Sequence, residues 1–197
     1  MRSRYDDPSF DDAAHPLPRL GGPTFALRFR AARLIWMTSW RLLAAWTPAP
    51  LHRWRNLILR CFGAQLHPSA IVYGSASIWW PANLIMDRHA SLGPGAICYN
   101  VAPVTLGPFA NVSQRAHLCT ASHNIQESAF TLIARPIVLQ ANCWIAAEAF
   151  VGPGVNVGEG AVLGARGVSV KPLEAWTVYA GNPAKPVGKR NTSAGIS

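Results

Sequence analysis

An aliphatic residue returns at every sixth position from residue 139 onward. These aliphatic openers are Leu139, Ile145, Val151, Val157 and Leu163. An amphipathic helix cannot produce this period, because its apolar face returns about every 3.6 residues. The period instead predicts short strands and tight turns that stack as a solenoid, with three sides closing a triangular coil of about 18 residues. We expect the openers to stack in the interior and the glycines to lie at turns where φ is positive.

The same period extends upstream with interruptions. The earlier openers fall into three sets: Leu66, Val72, Ile78; Met86, Leu92, Cys98; and Leu106, Val112, Leu118. Two extra residues separate successive sets, and a gap of 21 residues precedes Leu139. Loops leave a solenoid at such interruptions and often carry function. The largest gap, from about 119 to 138, contains Cys-Thr-Ala-Ser-His-Asn at 119–124 and is the first place to seek a site.

The pattern divides the chain of 197 residues into four segments. We expect a flexible tail, a helical region, a repeat domain and a C-terminal extension, at 1–23, 24–63, 64–175 and 176–197. The repeats are expected to end near Lys171-Pro172, with the extension leaving the stack as an extended segment or a short helix.

Two helices are predicted before the repeats. The first covers 24–46, with Thr24 as its N-cap, and the second covers 51–61, with Gly63 as its stop. Since a solenoid needs covered ends, these helices are expected to cap one of them.

The helical region carries a local positive charge. It contains seven arginines and no acid between residues 24 and 60, with four tryptophans among them. Two interpretations stay open: the stretch lies on an anionic membrane surface, or it packs on the solenoid end with solvated arginines. Nucleic acid is not expected as a partner, because no binding motif accompanies the charge.

The remaining composition predicts a cytoplasmic protein, with a peripheral place on the inner membrane face as an option. There is no run of 18 uncharged apolar residues, and the N-terminus is acidic rather than signal-like. Four cysteines lie at 61, 98, 119 and 143 with no CxxC pair, so we expect reduced, buried thiols.

Several short motifs accompany the repeats. They are Ser122-His123, Asn-Cys-Trp-Ile-Ala at 142–146, Val-Gly-Pro-Gly-Val at 151–155 and Ala-Gly-Asn-Pro-Ala-Lys at 180–185. With these motifs, roughly residues 64–190 resemble the left-handed β-helix O-acetyltransferases, such as galactoside, maltose and nodulation-factor acetyltransferases. Segments 54–64, 81–84, 99–100 and 118–124 resemble more specifically the acetyltransferases of colanic acid and exopolysaccharide biosynthesis. The expected fold is therefore an all-β, left-handed parallel β-helix with an N-terminal helical region.

The resemblance implies transfer of an acetyl group from acetyl-CoA to a sugar hydroxyl in surface polysaccharide assembly. His123 matches the catalytic histidine of the family, and a histidine suits the role of general base near neutral pH. The acceptor is expected to be a lipid-linked sugar or a nucleotide sugar. Family members form trimers with coenzyme A between neighbouring solenoids, so a homotrimer with shared sites is expected.

Further site residues follow by position in the resemblance. Asn100 and Trp144 are expected at the acceptor, although Trp144 also fits the pantetheine channel or a packed aromatic between subunits. Cofactor contacts are expected from Ala147, Ala165, Lys171 and Lys185, with Lys189 and Arg190 as additional phosphate partners. Glu148 is a weaker candidate for orienting His123.

Two other functional classes stay open. A β-helix scaffold without activity would keep the repeats but would have no use for the looped histidine and the matching lysines. A zinc-dependent lyase of the γ-carbonic anhydrase type shares the fold and would need three histidines, here His89, His117 and His123. Their spacing does not match that family, so no metal is expected.

Overall fold

A computed structural model describes residues 25–191 of the chain, and it has two helices followed by a three-sided β-helix. The helices are α1, Leu27–Leu43, and α2, His52–Cys61, and short 3₁₀ turns lie at Ala49–Leu51 and Pro81–Asn83. The strands are β1 Gln65–Leu66, β2 Ile71–Val72, β3 Ser77–Ile78, β4 Leu84–Met86, β5 Ser91–Leu92, β6 Ile97–Tyr99, β7 Val104–Leu106, β8 Asn111–Val112, β9 His117–Cys119, β10 Ala121–His123, β11 Leu132–Ala134, β12 Ile137–Leu139, β13 Trp144–Ile145, β14 Phe150–Val151, β15 Asn156–Val157, β16 Val162–Leu163, β17 Val168–Ser169, β18 Thr177–Ala180 and β19 Lys185–Lys189.

The strands form three stacked parallel sheets that the chain visits in rotation. The first sheet runs β1-β4-β7-β12-β15, the second β2-β5-β8-β13-β16-β18 with β19 at its edge, and the third β3-β6-β9-β14-β17. The register places openers directly above one another, as with Met86, Leu106 and Leu139 in the first sheet. This confirms the expected all-β, left-handed parallel β-helix with an N-terminal helical region.

The openers form the core. Val72, Leu106, Leu118, Leu139 and Leu163 are fully buried, and small residues such as alanine fill the positions between the sheets. Each buried aliphatic side chain contributes about 1.5–3 kcal/mol through burial, so the six-residue period stabilises the coil directly.

Turn geometry explains only some of the glycines. Gly154 and Gly160 have positive φ, as predicted, but Gly152, Gly158 and Gly164 do not. These glycines lie instead where the next coil comes close: a Cβ on Gly158 would come within 2.5 Å of the Ala175 nitrogen. The prediction is wrong for these three positions. Glycine is needed there because a side chain would collide with the neighbouring coil, and not because φ is positive.

The helices cap the open end of the first coil. Carbonyl groups there have no earlier strand to pair with, and helix side chains donate to them instead. Trp36 Nε1 bonds the Ile78 oxygen at 2.9 Å, and the buried Arg55 Nε bonds the Val72 oxygen at 2.6 Å. Asn56 donates in the same way to Ala70 at 2.7 Å. The capping role predicted for this stretch is therefore confirmed for the inward side of the helices.

The helix bounds differ slightly from those predicted. α1 ends at Leu43 rather than 46, because Ala44 and Thr47 already form a turn before Pro48. Its N-cap is Ala26, which makes no side-chain bond, while Thr24 and the tail at 1–23 lie outside the described residues. Gly63 follows α2 with φ +93°, as expected for a helix stop.

The stack continues one strand past its predicted end. β18 pairs in parallel with β16, and β19 then folds back antiparallel on β18. The backbone of Ala184 also donates to Val168 at 2.8 Å. Residues 177–189 thus belong to the second sheet and do not leave the solenoid.

Candidate functional site

Two of the three corners of the coil carry the predicted site residues. The corner between the third and first sheets holds residues 100–103, 120–136 and 170–172, and we call it the hairpin corner. The corner between the second and third sheets holds residues 113–116, 146–149 and 164–167, and we call it the alanine corner.

The long gap in the repeat forms a β-hairpin. β10 and β11 pair antiparallel, with His123 opposite Leu132. Buried Thr120 anchors its base: its hydroxyl donates to the Tyr99 oxygen and accepts from the Ala102 N–H, both at 3.0 Å. Near the tip, the Asn124 side chain accepts from the Gln126 N–H at 3.2 Å and so forms an Asx turn. The hairpin is therefore an ordered structure that holds its histidine in place.

The His123 ring is fixed by Phe130 across the hairpin. The two rings stack with centroids 4.4 Å apart, and His123 Nδ1 lies 2.8 Å from the Phe130 carbonyl oxygen. A carbonyl oxygen can only accept, so Nδ1 carries the hydrogen and Nε2 is left as the basic nitrogen. Within residues 25–191, Nε2 makes no hydrogen bond. The arrangement suits a side chain that removes a proton from a bound group.

Asn100 lies at the same corner but is fully buried. Its oxygen accepts from the Trp80 N–H at 2.9 Å, and its amide nitrogen donates to the Trp80 oxygen at 2.7 Å. This pairing ties one coil to the next and favours a structural role. Contact with an acceptor stays a prediction that the geometry does not favour.

Trp144 lies on the second sheet, away from the hairpin. The side chain is exposed, and its indole nitrogen donates to the Ser113 hydroxyl at 2.8 Å. Its exposure on the outer face agrees with either a contact to a bound molecule or a contact to a second subunit.

The cofactor residues do not all lie together. Ala147 and Ala165 occupy equivalent turns of consecutive coils at the alanine corner, joined by the bond from the Arg166 N–H to the Ala147 oxygen at 2.9 Å. Lys185 lies near this corner, since β19 pairs it with Ala180. Exposed Lys171 lies instead at the hairpin corner, in a later coil than His123.

The other two predicted cations make contacts within the chain. Lys189 Nζ donates to the Thr177 hydroxyl at 2.7 Å, and Arg190 donates to the Asn142 oxygen at 2.7 Å. These hydrogen bonds help to hold β19 on the solenoid, so both side chains are only partly available to a bound phosphate.

Glu148 does not contact His123, and it belongs to an ion-pair ladder at the alanine corner. Its carboxylate bonds Arg115 in the coil before and Arg166 in the coil after, the latter at 2.6 Å. The hydrogen bonds from Arg166 and Arg115 lower the pKa of Glu148. The sequence reasoning missed these two arginines, which add positive charge beside Ala147 and Ala165, and it also missed Phe130. The sequence offered two signals for these residues. Arg115, Glu148 and Arg166 occupy equivalent positions of the repeat, and Phe130 is an aromatic residue inside the long gap.

The three histidines of the zinc alternative are not brought together. Among the described residues, no three His, Cys, Asp or Glu side chains converge as a ligand set. His89 instead stacks on Phe109 at 5.0 Å, and His117 packs edge-on against Phe150 at 5.2 Å. Burial lowers the pKa of His117, and its Nε2 is buried without a hydrogen-bond partner in the described part of the chain.

The cysteines are all free thiols, as predicted. Cys98 and Cys143 are buried, and desolvation raises the pKa of each to about 12. The prediction of burial is wrong for Cys61, which is exposed at the end of α2, and it holds only in part for Cys119, which is half-buried.

An open groove elsewhere on the chain holds none of the predicted site residues. It has a volume of about 480 Å³ and lies on the outer face of the first sheet, beside Arg60, His67 and Asp87. The histidine of this groove, His67, bonds Ser69 through Nδ1 at 2.8 Å and lies on an ordinary turn of the repeat, so the groove lacks the inserted hairpin that holds His123.

The three-sided coil with a histidine on an inserted hairpin defines the class as a hexapeptide-repeat β-helix protein. No protein-family model matches the chain. It is, however, 37% identical over 156 residues to the "Putative colanic acid biosynthesis acetyltransferase WcaF" of Escherichia coli (strain K12), covering 79% of this chain and 86% of that relative. The chain therefore belongs to the left-handed β-helix O-acetyltransferases, in the group of the colanic acid biosynthesis acetyltransferases, and is an acyltransferase.

Solved structures agree on the fold. A maltose O-acetyltransferase from Clostridium difficile 630 aligns with a TM-score of 0.74 and 22% identity, over 84% of this chain and 90% of that one. The hexapeptide-repeat acetyltransferase VCA0836 from Vibrio cholerae O1 biovar eltor, complexed with acetyl coenzyme A, aligns with a TM-score of 0.71 and 20% identity, over 87% and 95%.

Proposed function

We propose that the chain transfers an acetyl group from acetyl-CoA to a sugar hydroxyl during surface polysaccharide assembly, with His123 as the general base. The observation that carries this proposal is the orientation of the His123 ring, which the Phe130 carbonyl fixes with Nε2 as the basic nitrogen. Acetyl-CoA is supported as donor by family membership and by the neighbour that was solved with it.

The chemistry needs no covalent enzyme intermediate. The acceptor hydroxyl attacks the thioester carbonyl while Nε2 of His123 takes its proton. A backbone N–H stabilises the oxyanion of the tetrahedral intermediate. When the carbon–sulfur bond breaks, the protonated histidine returns the proton to the thiolate of coenzyme A, so that the products are an acetyl ester and the free thiol.

A complete site is proposed to form between chains of a trimer. His123 lies at the hairpin corner, whereas Ala147, Ala165 and Lys185 lie at or near the alanine corner of the same chain. A head-to-tail cyclic assembly brings one kind of corner against the other at every interface. The separation of the two corners favours the shared site over a site within one chain.

The acceptor is proposed to be a sugar, either lipid-linked or carried on a nucleotide. This follows from the colanic acid relative and from the maltose acetyltransferase among the solved structures. The segment 64–175 is proposed as the acyltransferase unit of the chain, preceded by the helical region and followed by the extension. A cytoplasmic location stays a prediction; within residues 25–191, none of the helices has the length and apolarity required to span a bilayer.

Calorimetric titration with acetyl-CoA tests the donor before the acceptor is known. Metal-analysed protein is expected to bind acetyl-CoA saturably, with about one site per chain in a closed cyclic assembly. The His123→Ala variant should bind equally well. A folded protein that binds no acetyl-CoA would overturn the proposal in favour of a scaffold, and stoichiometric zinc would favour the lyase.

An acceptor screen then tests the reaction itself. Release of the coenzyme A thiol should depend on an added sugar and should disappear in the His123→Ala variant. The matched control is His67→Ala, which removes an exposed histidine bonded only to Ser69 at a distant turn. Sugar-dependent release that survives in His123→Ala would exclude His123 as the base.

A further inference from the structure

The outward face of α1 is apolar, and none of the described residues, 25–191, covers it. Leu27, Leu34, Ile35 and Leu42 are each between 60% and 76% exposed. At about 100° per residue, these four side chains fall on one side of the helix. The opposite side carries Trp36 and Trp40, which are buried against the first coil. A helix that is apolar on two opposite sides is expected to have a partner on each.

Arginines flank the exposed apolar strip. Arg30 and Arg41 lie along one edge of it and Arg28 along the other, from their positions on the helix. All three are exposed, and none makes a hydrogen bond or ion pair within the described residues. The other arginines of this region differ: Arg55 and Arg60 bond backbone carbonyls, and Arg33 lies over the Trp79 ring at 4.4 Å.

Two tryptophans extend this surface past the end of α1. The Trp46 and Trp54 indoles donate to the Leu42 and Leu43 oxygens at 2.8 and 2.7 Å, while the side chains stay 73% and 43% exposed. The α2 face beside Trp54 adds exposed Leu57 and Arg53. Tryptophan with a satisfied N–H and an exposed ring is typical of side chains at a membrane–water interface.

The positive charge of this region distinguishes between two possible partners of the surface, a second copy of the chain and an anionic membrane. Residues 24–60 contain seven arginines and no acid. A second copy meeting the same face about a two-fold axis would set arginines against arginines, with no acidic side chain among residues 24–60 to neutralise them. An anionic bilayer offers phosphates to the flanking arginines and acyl chains to the apolar strip at the same time.

We propose that the outward faces of α1 and α2 lie in the plane of an anionic membrane surface, with the strip Leu27, Leu34, Ile35 and Leu42 inserted and Arg28, Arg30 and Arg41 on lipid phosphates. This inference does not depend on the catalytic proposal. It places the first coil next to the bilayer and leaves the hairpin corner free at the side of the solenoid.

Vesicle flotation of the full chain tests the proposal. The protein should float with vesicles of equimolar phosphatidylglycerol and phosphatidylcholine, should not float with phosphatidylcholine alone, and should be released by salt. Replacing both Arg28 and Arg41 by Gln should weaken partitioning about 30-fold, at about 1 kcal/mol for each arginine. The paired change Leu34→Gln with Leu42→Gln should weaken it about tenfold.

Matched controls lie on the solenoid. The pair Arg88→Gln with Arg135→Gln removes exposed arginines elsewhere, and Val170→Gln with Val187→Gln removes apolar side chains that are 60% and 65% exposed. Both controls should partition as the unmodified chain does. Failure to float with anionic vesicles, or equal losses in α1 and control variants, would overturn the proposal. A change in oligomer mass of the α1 variants without a change in flotation would assign the face to a second copy.

Discussion

The two corners that carry the site are built in opposite ways. At the alanine corner the turns repeat from coil to coil, so that Arg115, Glu148 and Arg166 occupy equivalent positions with φ between 56° and 60°. At the hairpin corner the chain departs from the repeat over residues 120–136 and forms its own antiparallel pair. A regular corner presents the same backbone groups in each coil, which suits an extended ligand. The inserted hairpin interrupts the repeat once and positions a single side chain, His123.

The two corners separate the proposed cofactor binding from the proposed chemistry along the sequence. The proposed cofactor contacts come with the repeat and need little beyond its regularity. The proposed base needs Thr120, Asn124 and Phe130 to build a hairpin that the repeat does not supply. Changes at the hairpin corner should therefore affect the rate of the chemical step, and changes at the alanine corner should affect cofactor affinity.

The largest effect is expected at His123. The His123→Ala variant should lose about 10²- to 10⁴-fold in kcat, because no group is left to take the hydroxyl proton. Its affinity for acetyl-CoA, measured by calorimetry, should be nearly unchanged. A large loss of affinity with intact kcat would reverse the assignment of the two corners.

Phe130 should have the next largest effect, as a positioning residue. The Phe130→Ala variant removes the ring that stacks on His123 and should lower kcat about tenfold through a misplaced base. The KM for acetyl-CoA should stay the same, and Phe130→Tyr should restore the rate. Ile125→Ala, at an exposed position of the same hairpin, is the control and should have no effect. Equal losses in both alanine variants would point to general disorder of the hairpin.

A change at Lys185 should alter the KM for acetyl-CoA and not kcat, which is the opposite of the effect expected at His123 and Phe130. The Lys185→Gln variant should raise the KM for acetyl-CoA about fivefold, as expected for loss of one exposed charge contact, and leave kcat unchanged. Arg88→Gln is the matched control, because it removes an exposed cation at the remaining corner, between the first and second sheets. A fall in kcat without a change in KM would remove Lys185 from the cofactor corner.

The smallest effect concerns stability and pH at His117, which lies on the third sheet between the two corners. Burial lowers the pKa of His117, so the unfolded chain, with an ordinary histidine pKa of about 6.5, binds the proton first. Above about pH 6.5 His117 is neutral in both states and the folded chain keeps its full stability. As the pH falls below this value, the unfolded chain gains a proton that the folded chain resists, and stability is lost. Urea unfolding at pH 7 and 5 should therefore show a smaller acid loss in His117→Phe than in the unmodified chain. Identical losses would show that His117 is not buried as described.

The regular part of the molecule could be predicted from sequence because one period determines it. The openers at every sixth position are the buried residues of the stacked sheets, and the length of the gap after Leu118 predicted where the chain departs. The fold and the position of His123 on an inserted segment follow from these local patterns alone.

Features that depend on contacts between coils could not be predicted. The Asn100 side chain bonds the backbone of Trp80, twenty residues earlier in the chain. Its burial therefore follows from the stacking of coils and not from its neighbours in sequence. β18 joins the second sheet although the spacing from Leu163 to Thr177 breaks the period. The carbonyl of Phe130 reaches His123 only because the hairpin closes, and the sequence does not encode that distance locally.

Mixed oligomers of two inactive chains test most directly whether the two corners meet between subunits. One chain would carry His123→Ala, and the other would carry Ala165→Trp, which fills the exposed turn at the alanine corner. If each site takes one corner from each of two chains, random mixing should restore about one quarter of the sites, measured as acetyl transfer per chain. Recovery of no activity from folded, mixed assemblies would mean that each site lies within a single chain, and the shared-site account would be wrong.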